Sequence, residues 1–111
     1  MALHHAQPGE VVALSPLGET LAEHTTTTLI KTDALEVIRL VLPAGKSIPA
    51  HSVPGEITVQ CLKGRVKFPA MGKDIQLQAG EMLYLEGNES HAVQAIEDST
   101  VLVTILLARK V

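Results

Sequence analysis

The chain has 111 residues, enough for one domain with little left over. Apolar residues make up 46%, enough for a real core, yet no apolar stretch approaches the roughly 20 residues of a membrane helix, so no membrane partner is expected. A net charge of -3, with 9 scattered Lys and Arg, one Phe, one Tyr and no Trp, argues against the basic face and aromatic platform of a nucleic-acid binder.

In chain order, residues 1–24 come first. From Met1 to Gly18 no basic start precedes a long apolar run, so no signal peptide is expected. Residues 1–24 read as an N-terminal arm or edge strand, with a short helix over 9–24 as the alternative. Residues 25–111 read as a single domain. Its turn signals recur: Thr32-Asp33, Pro43-Ala44-Gly45, Pro54-Gly55, Lys63-Gly64, Pro69-Ala70-Met71-Gly72, Ala79-Gly80, Gly87-Asn88 and Glu97-Asp98. Between them lie short runs rich in Val, Ile, Leu and Thr. This punctuation predicts an all-β sandwich or barrel. The predicted strands are Thr26–Lys31, Ala34–Leu42, Glu56–Leu62, Val66–Phe68, Asp74–Gln78, Met82–Leu85, His91–Ile96 and Thr100–Leu107.

The third of these strands alternates. Ile57, Val59 and Cys61 are apolar, while Glu56, Thr58 and Gln60 are polar, so the odd positions should face inward. By contrast, Ala34–Leu42 is apolar on both faces apart from Glu36 and Arg39, and Val101–Leu107 is so apart from Thr104. A small all-β chain with such strands is expected to cover them with a second subunit, hence a homodimer. Cys61 is the sole cysteine, so no intrachain disulfide can form. That suits a reducing compartment, and a cytoplasmic location is expected. Cys61 itself reads as a small buried hydrophobe. Met71 reads as a turn residue and Met82 as core filler.

Two segments resemble the two motifs of the cupin superfamily. The first motif of that family runs glycine, five residues, His-x-His, three or four residues, Glu, six residues, glycine. Gly45, His51 and Gly64 fit that spacing, and Gly80 and His91 fit the second motif. The resemblance covers Gly45 to Ala95. It implies a cupin-type double-stranded β-helix, a jelly-roll barrel with its pocket at the mouth. The departures are equally specific. Val53 and Ile57 stand where the family has its second histidine and its glutamate. Glu86, Asn88 and Ala95 stand where it has proline, glycine and asparagine.

The resemblance implies that His51 and His91 share a pocket, lined also by Val53, Ile57 and Val59. Two of the four metal-ligand positions survive, and the two replacements are aliphatic. Two imidazoles alone bind a metal weakly. A divalent transition metal (Fe, Mn, Ni or Zn) is therefore expected at substoichiometric occupancy. Glu56 lies one residue off the glutamate position, so its parity sends it to the other face unless a bulge intervenes. His24 reaches the pocket only if the N-terminal segment folds over the barrel. Three functions fit these residues. The first is a module binding a small polar or anionic metabolite at His51 and His91. The second is a metal-dependent dioxygenase, isomerase or decarboxylase with those histidines as ligands. The third is metal-free acid–base catalysis, with Tyr84 as acid opposite a histidine base.

Overall fold

The computed structural model describes residues 5–14 and 26–107. Nine strands lie among them: β1 (Thr27–Lys31), β2 (Leu35–Leu42), β3 (Ser47–His51), β4 (Ile57–Lys63), β5 (Arg65–Ala70), β6 (Lys73–Gln78), β7 (Met82–Leu85), β8 (His91–Ala95) and β9 (Ser99–Leu106). No helix occurs among the described residues. Every pairing is antiparallel. One sheet has the order β1-β2-β9-β4-β7 and the other β3-β8-β5-β6. This is the jelly roll that the turn spacing and the two motifs predict.

Side-chain parity builds the core. Ile57, Val59 and Cys61 of β4 are buried, and Thr58, Gln60 and Leu62 point to the other face. In the facing sheet Val66, Phe68 and Ala70 of β5 turn inward, as do His91, Val93 and Ala95 of β8. Apolar side chains on both inner faces meet in one cluster. The β4–β5 turn depends on Gly64, whose φ is 82°. A Cβ there would lie 2.3 Å from the Asp98 carbonyl oxygen, so the chain passes too closely for any other residue.

Ser99 ties the two sheets together where they close. Its fully buried hydroxyl accepts from the Arg65 N–H at 3.0 Å and donates to the Glu97 carbonyl at 2.7 Å. Cys61 sits nearby at 1% exposure, and burial pushes its thiol pKa up. It behaves as a buried hydrophobe rather than a reactive thiol.

Some elements differ from the sequence expectation. Strand β3 is an addition: Ser-Ile-Pro-Ala-His shows no alternation, and its proline cannot donate to a ladder. It is an edge strand, where that missing donor is tolerated. Strand β5 runs through Pro69 to Ala70, past the expected end at Phe68. Met82 is 59% exposed on the outer face opposite Gln60, so it does not fill the core. Residues 9–14 form no helix, and the rest of the 9–24 helix expectation lies outside the described residues.

The N-terminal segment covers part of the first sheet. The Ala6 N–H donates to the Leu29 carbonyl at 2.8 Å, beyond the edge strand β1. The Arg39 guanidinium, on the outer face of β2, donates to the Ala13 carbonyl at 3.1 Å. Part of the apolar outer face of β2 is therefore screened by the chain's own arm.

Candidate functional site

Edge strand β3 and its neighbour β8 bring the two motif histidines together. His51 and His91 are direct cross-strand partners, with ring centroids 4.4 Å apart at 62°. His91 is buried, 6% exposed, and His51 sits at the exposed rim. Phe68 stacks on the His91 ring, with centroids 5.4 Å apart and planes 10° apart. That stack and a backbone contact fix the ring.

The backbone contacts also fix the proton. His91 Nδ1 lies 2.9 Å from the Glu89 carbonyl, and His51 Nδ1 lies 3.1 Å from the Pro49 carbonyl. A carbonyl oxygen only accepts, so each Nδ1 must carry the hydrogen. In the neutral form each Nε2 is then a bare lone pair, the nitrogen left for the cavity. Burial, chiefly, lowers the His91 pKa, and the neighbouring His51 lowers it further, against the opposing pull of Glu89.

Both rings border a cavity of about 190 Å³ between the sheets. On the four-stranded side its wall is Ile48, His51, Phe68, His91 and Val93. On the five-stranded side the wall is Ile38, Leu40, Ile57, Val103 and Ile105, and Val53 closes the rim. Among the described residues the histidines are the only polar side chains in this lining, and no described Asp, Glu, Lys or Arg joins them. Asn88, with φ 66°, donates its N–H to the Val53 carbonyl at 2.7 Å and so joins the two loops at the mouth.

Of the residues singled out from sequence, His51, His91, Val53 and Ile57 meet at this cavity. Val59 does not: it lies two residues deeper on β4, with 0% exposure, inside the packed core. Tyr84 is on the outer face, 53% exposed, opposite Thr58. Its hydroxyl donates to the Glu56 carboxylate, which raises the phenol pKa. It therefore cannot act as an acid across the cavity from His51 or His91. Glu56 faces outward, as its parity requires, and no bulge returns it to the cavity. His24 lies outside the described residues. Phe68, Ile48 and Val93 were missed as site residues. Inward parity on β5 and β8 is the signal that points to Phe68 and Val93, whereas Ile48 lies on β3, whose sequence shows no alternation.

The donor set can be tested for a metal. Tightly held divalent ions take four or more ligands, and here the described lining offers two imidazoles. The two other family positions carry Val53 and Ile57, whose methyl groups occupy the wall. No group of three or more His, Cys, Asp or Glu able to hold a metal occurs among the described residues. The described side chains therefore do not fit a tightly held divalent ion.

Two antiparallel sheets closed over a side-chain cavity at one end define a jelly-roll barrel. The particular family is then plain: the cupin domain model matches residues 38–107, more than half of the chain, and the chain belongs to that family. A cupin superfamily protein from Desulfitobacterium hafniense superposes with a TM-score of 0.78 at 16% identity, covering 97% of this chain and 100% of that one. A cupin family protein with a double-stranded β-helix fold, from Methanocaldococcus jannaschii, superposes at 0.74 and 17% identity, covering 92% and 94%. Those likenesses concern the fold alone. In sequence, the chain is 33% identical over 57 residues to an oxalate-binding protein of Thermotoga maritima. That match spans 50% of this chain and 47% of the relative, so about half of each.

Proposed function

We propose that this cupin binds a small organic anion in the mouth of its barrel, held at His51 and His91. One observation carries the reading: two imidazoles, each with Nδ1 committed to a backbone carbonyl and Nε2 left over, are the only polar side chains among the described residues of an otherwise hydrocarbon lining. Such a lining with a few placed polar groups makes an ordinary small-molecule site. A carboxylic acid suits the pair. Its proton lies between one Nε2 and a carboxylate oxygen, which gives a charge-assisted hydrogen bond once the imidazole is charged. The name of the Thermotoga relative, an oxalate-binding protein, supports an anion of this kind.

The test is calorimetry on chelator-treated full-length protein with small carboxylates. Binding that survives the chelator, and that falls at least about tenfold in His91→Ala through loss of a charged hydrogen bond, is expected. Binding unchanged in both His91→Ala and His51→Ala would contradict the proposal.

A second reading is a metal-dependent enzyme, a dioxygenase, isomerase or decarboxylase, with His51 and His91 as ligands. The same two Nε2 lone pairs favour it, because metal-bound imidazoles commonly donate their other N–H to a carbonyl. Elemental analysis after dialysis separates the two. Substoichiometric metal is expected, and one full equivalent of Fe, Mn, Ni or Zn favours the second reading. A homodimer belongs to the same proposal, formed over the outer face of β9, where Leu106 stays 47% exposed. Sedimentation showing only an 11.8 kDa particle would contradict it.

A further inference from the structure

The cavity is polar on one side only. Both histidines belong to the four-stranded sheet, on β3 and β8. The facing wall comes from β2, β4 and β9, and every side chain it contributes is aliphatic. We infer that the ligand is a monocarboxylic acid with a short hydrocarbon body, and that a dicarboxylate such as oxalate is excluded. This rests on the anion-binding reading above and narrows it.

The chemistry is a matter of what each end of the ligand meets. The ligand's carboxylate accepts from the Nε2 that takes up the acid proton. Whatever lies opposite meets Ile38, Leu40, Ile57, Val103 and Ile105, which offer no donor. A second carboxylate placed there would be a buried charge without a partner, which is strongly unfavourable. A propyl or butyl chain placed there removes apolar surface from water on both sides. Rotation cannot help the dicarboxylate, because the His91 ring is held by the Phe68 stack and the Glu89 carbonyl. Size agrees with this assignment. A cavity of about 190 Å³ holds on the order of six water-sized groups. That is a carboxylate with roughly three or four further carbons.

Oxalate and butyrate have the same number of non-hydrogen atoms, so they vary the polarity at the far end with little change in size. Butyramide keeps that size and removes the charge. The experiment is calorimetry on the chelator-treated full chain with acetate, propionate, butyrate, valerate, oxalate and butyramide. Each added methylene should tighten binding about fourfold until the cavity is full. Oxalate should bind on the order of 100-fold more weakly than butyrate. Butyramide should also be weaker than butyrate.

Oxalate binding as tightly as butyrate would overturn the inference and leave the anion-binding reading standing. Butyramide matching butyrate would overturn that reading and the inference with it, as would the failure of every probe at millimolar concentration. Oxalate binding that appears only after Mn²⁺ or Zn²⁺ is added would overturn the inference in favour of a metal-held dianion.

Discussion

The two ends of this barrel are made by the same strands, yet one is filled and the other is left open. Strand β2 contributes Leu42 to the filled end and Ile38 and Leu40 to the cavity wall. Strand β9 contributes Ser99 and Val101 to the filled end, and Val103 and Ile105 to the wall. On β4, Val59 and Cys61 are packed while Ile57 borders the cavity. At the filled end the buried Ser99 hydroxyl has both a donor and an acceptor partner. At the open end the two imidazoles have no partner for Nε2 among the described residues, and the proposed ligand would take it up. Under the proposed function, stability is concentrated at one end and recognition at the other, an arrangement that lets the mouth vary without losing the fold.

That contrast can be broken by matched truncations. Leu42→Ala should cost about 3 kcal/mol, because the cavity it leaves has no solvent to fill it. Its melting midpoint should fall by more than about 10 °C. Leu40→Ala, the same change two residues away on the same face, should cost about half as much or less, since its side chain already borders open space. Equal costs in denaturant unfolding would erase the distinction between the ends.

Ser99→Ala should come next, at roughly 1–3 kcal/mol, because the Arg65 N–H would be buried without an acceptor. It should leave acid binding intact when measured by calorimetry below its unfolding temperature. A loss of binding in this variant would mean that the two ends are coupled.

The smallest effect is a pH dependence at the open end. The folded His91 pKa lies below the ordinary imidazole value of 6.5. Below that value the unfolded chain takes up the proton more readily than the folded one, so stability falls as pH drops through the region just under 6.5. Above it the contribution is fully present. Denaturation midpoints from about pH 5 to about pH 7.5 should therefore be flatter in His91→Gln than in the parent. Identical slopes would place His91 in water in the folded state.

The filled end was legible in the sequence to a degree that the open end was not. Alternation in Ile57, Val59 and Cys61 gave their inward facing directly, because period two is a local property of a strand. The motif glycines Gly45, Gly64 and Gly80 gave the turns, and all three have φ near 90°. The pairing of His51 with His91 came from motif spacing alone, since the 39 intervening residues carry no local trace of it. The one-sided polarity of the cavity was not legible. It depends on which sheet each strand joins, and neighbours such as β2 and β9 lie far apart in sequence. Val59 was assigned to the pocket for a related reason. Parity tells which face a residue takes, but not how far down the barrel it lies.

The central claim is that two imidazoles leave bare Nε2 atoms to the cavity and that an acid proton is taken up there. Long-range proton–nitrogen NMR of the histidine rings reads this directly during a butyrate titration near neutral pH. Before the acid is added, Nδ1 of His51 and His91 should be protonated and Nε2 bare. Butyrate should move an Nε2 signal of this pair toward the protonated position, saturating with the calorimetric affinity. Ring nitrogens that stay unchanged while the acid saturates the protein would place the binding site elsewhere and contradict the account.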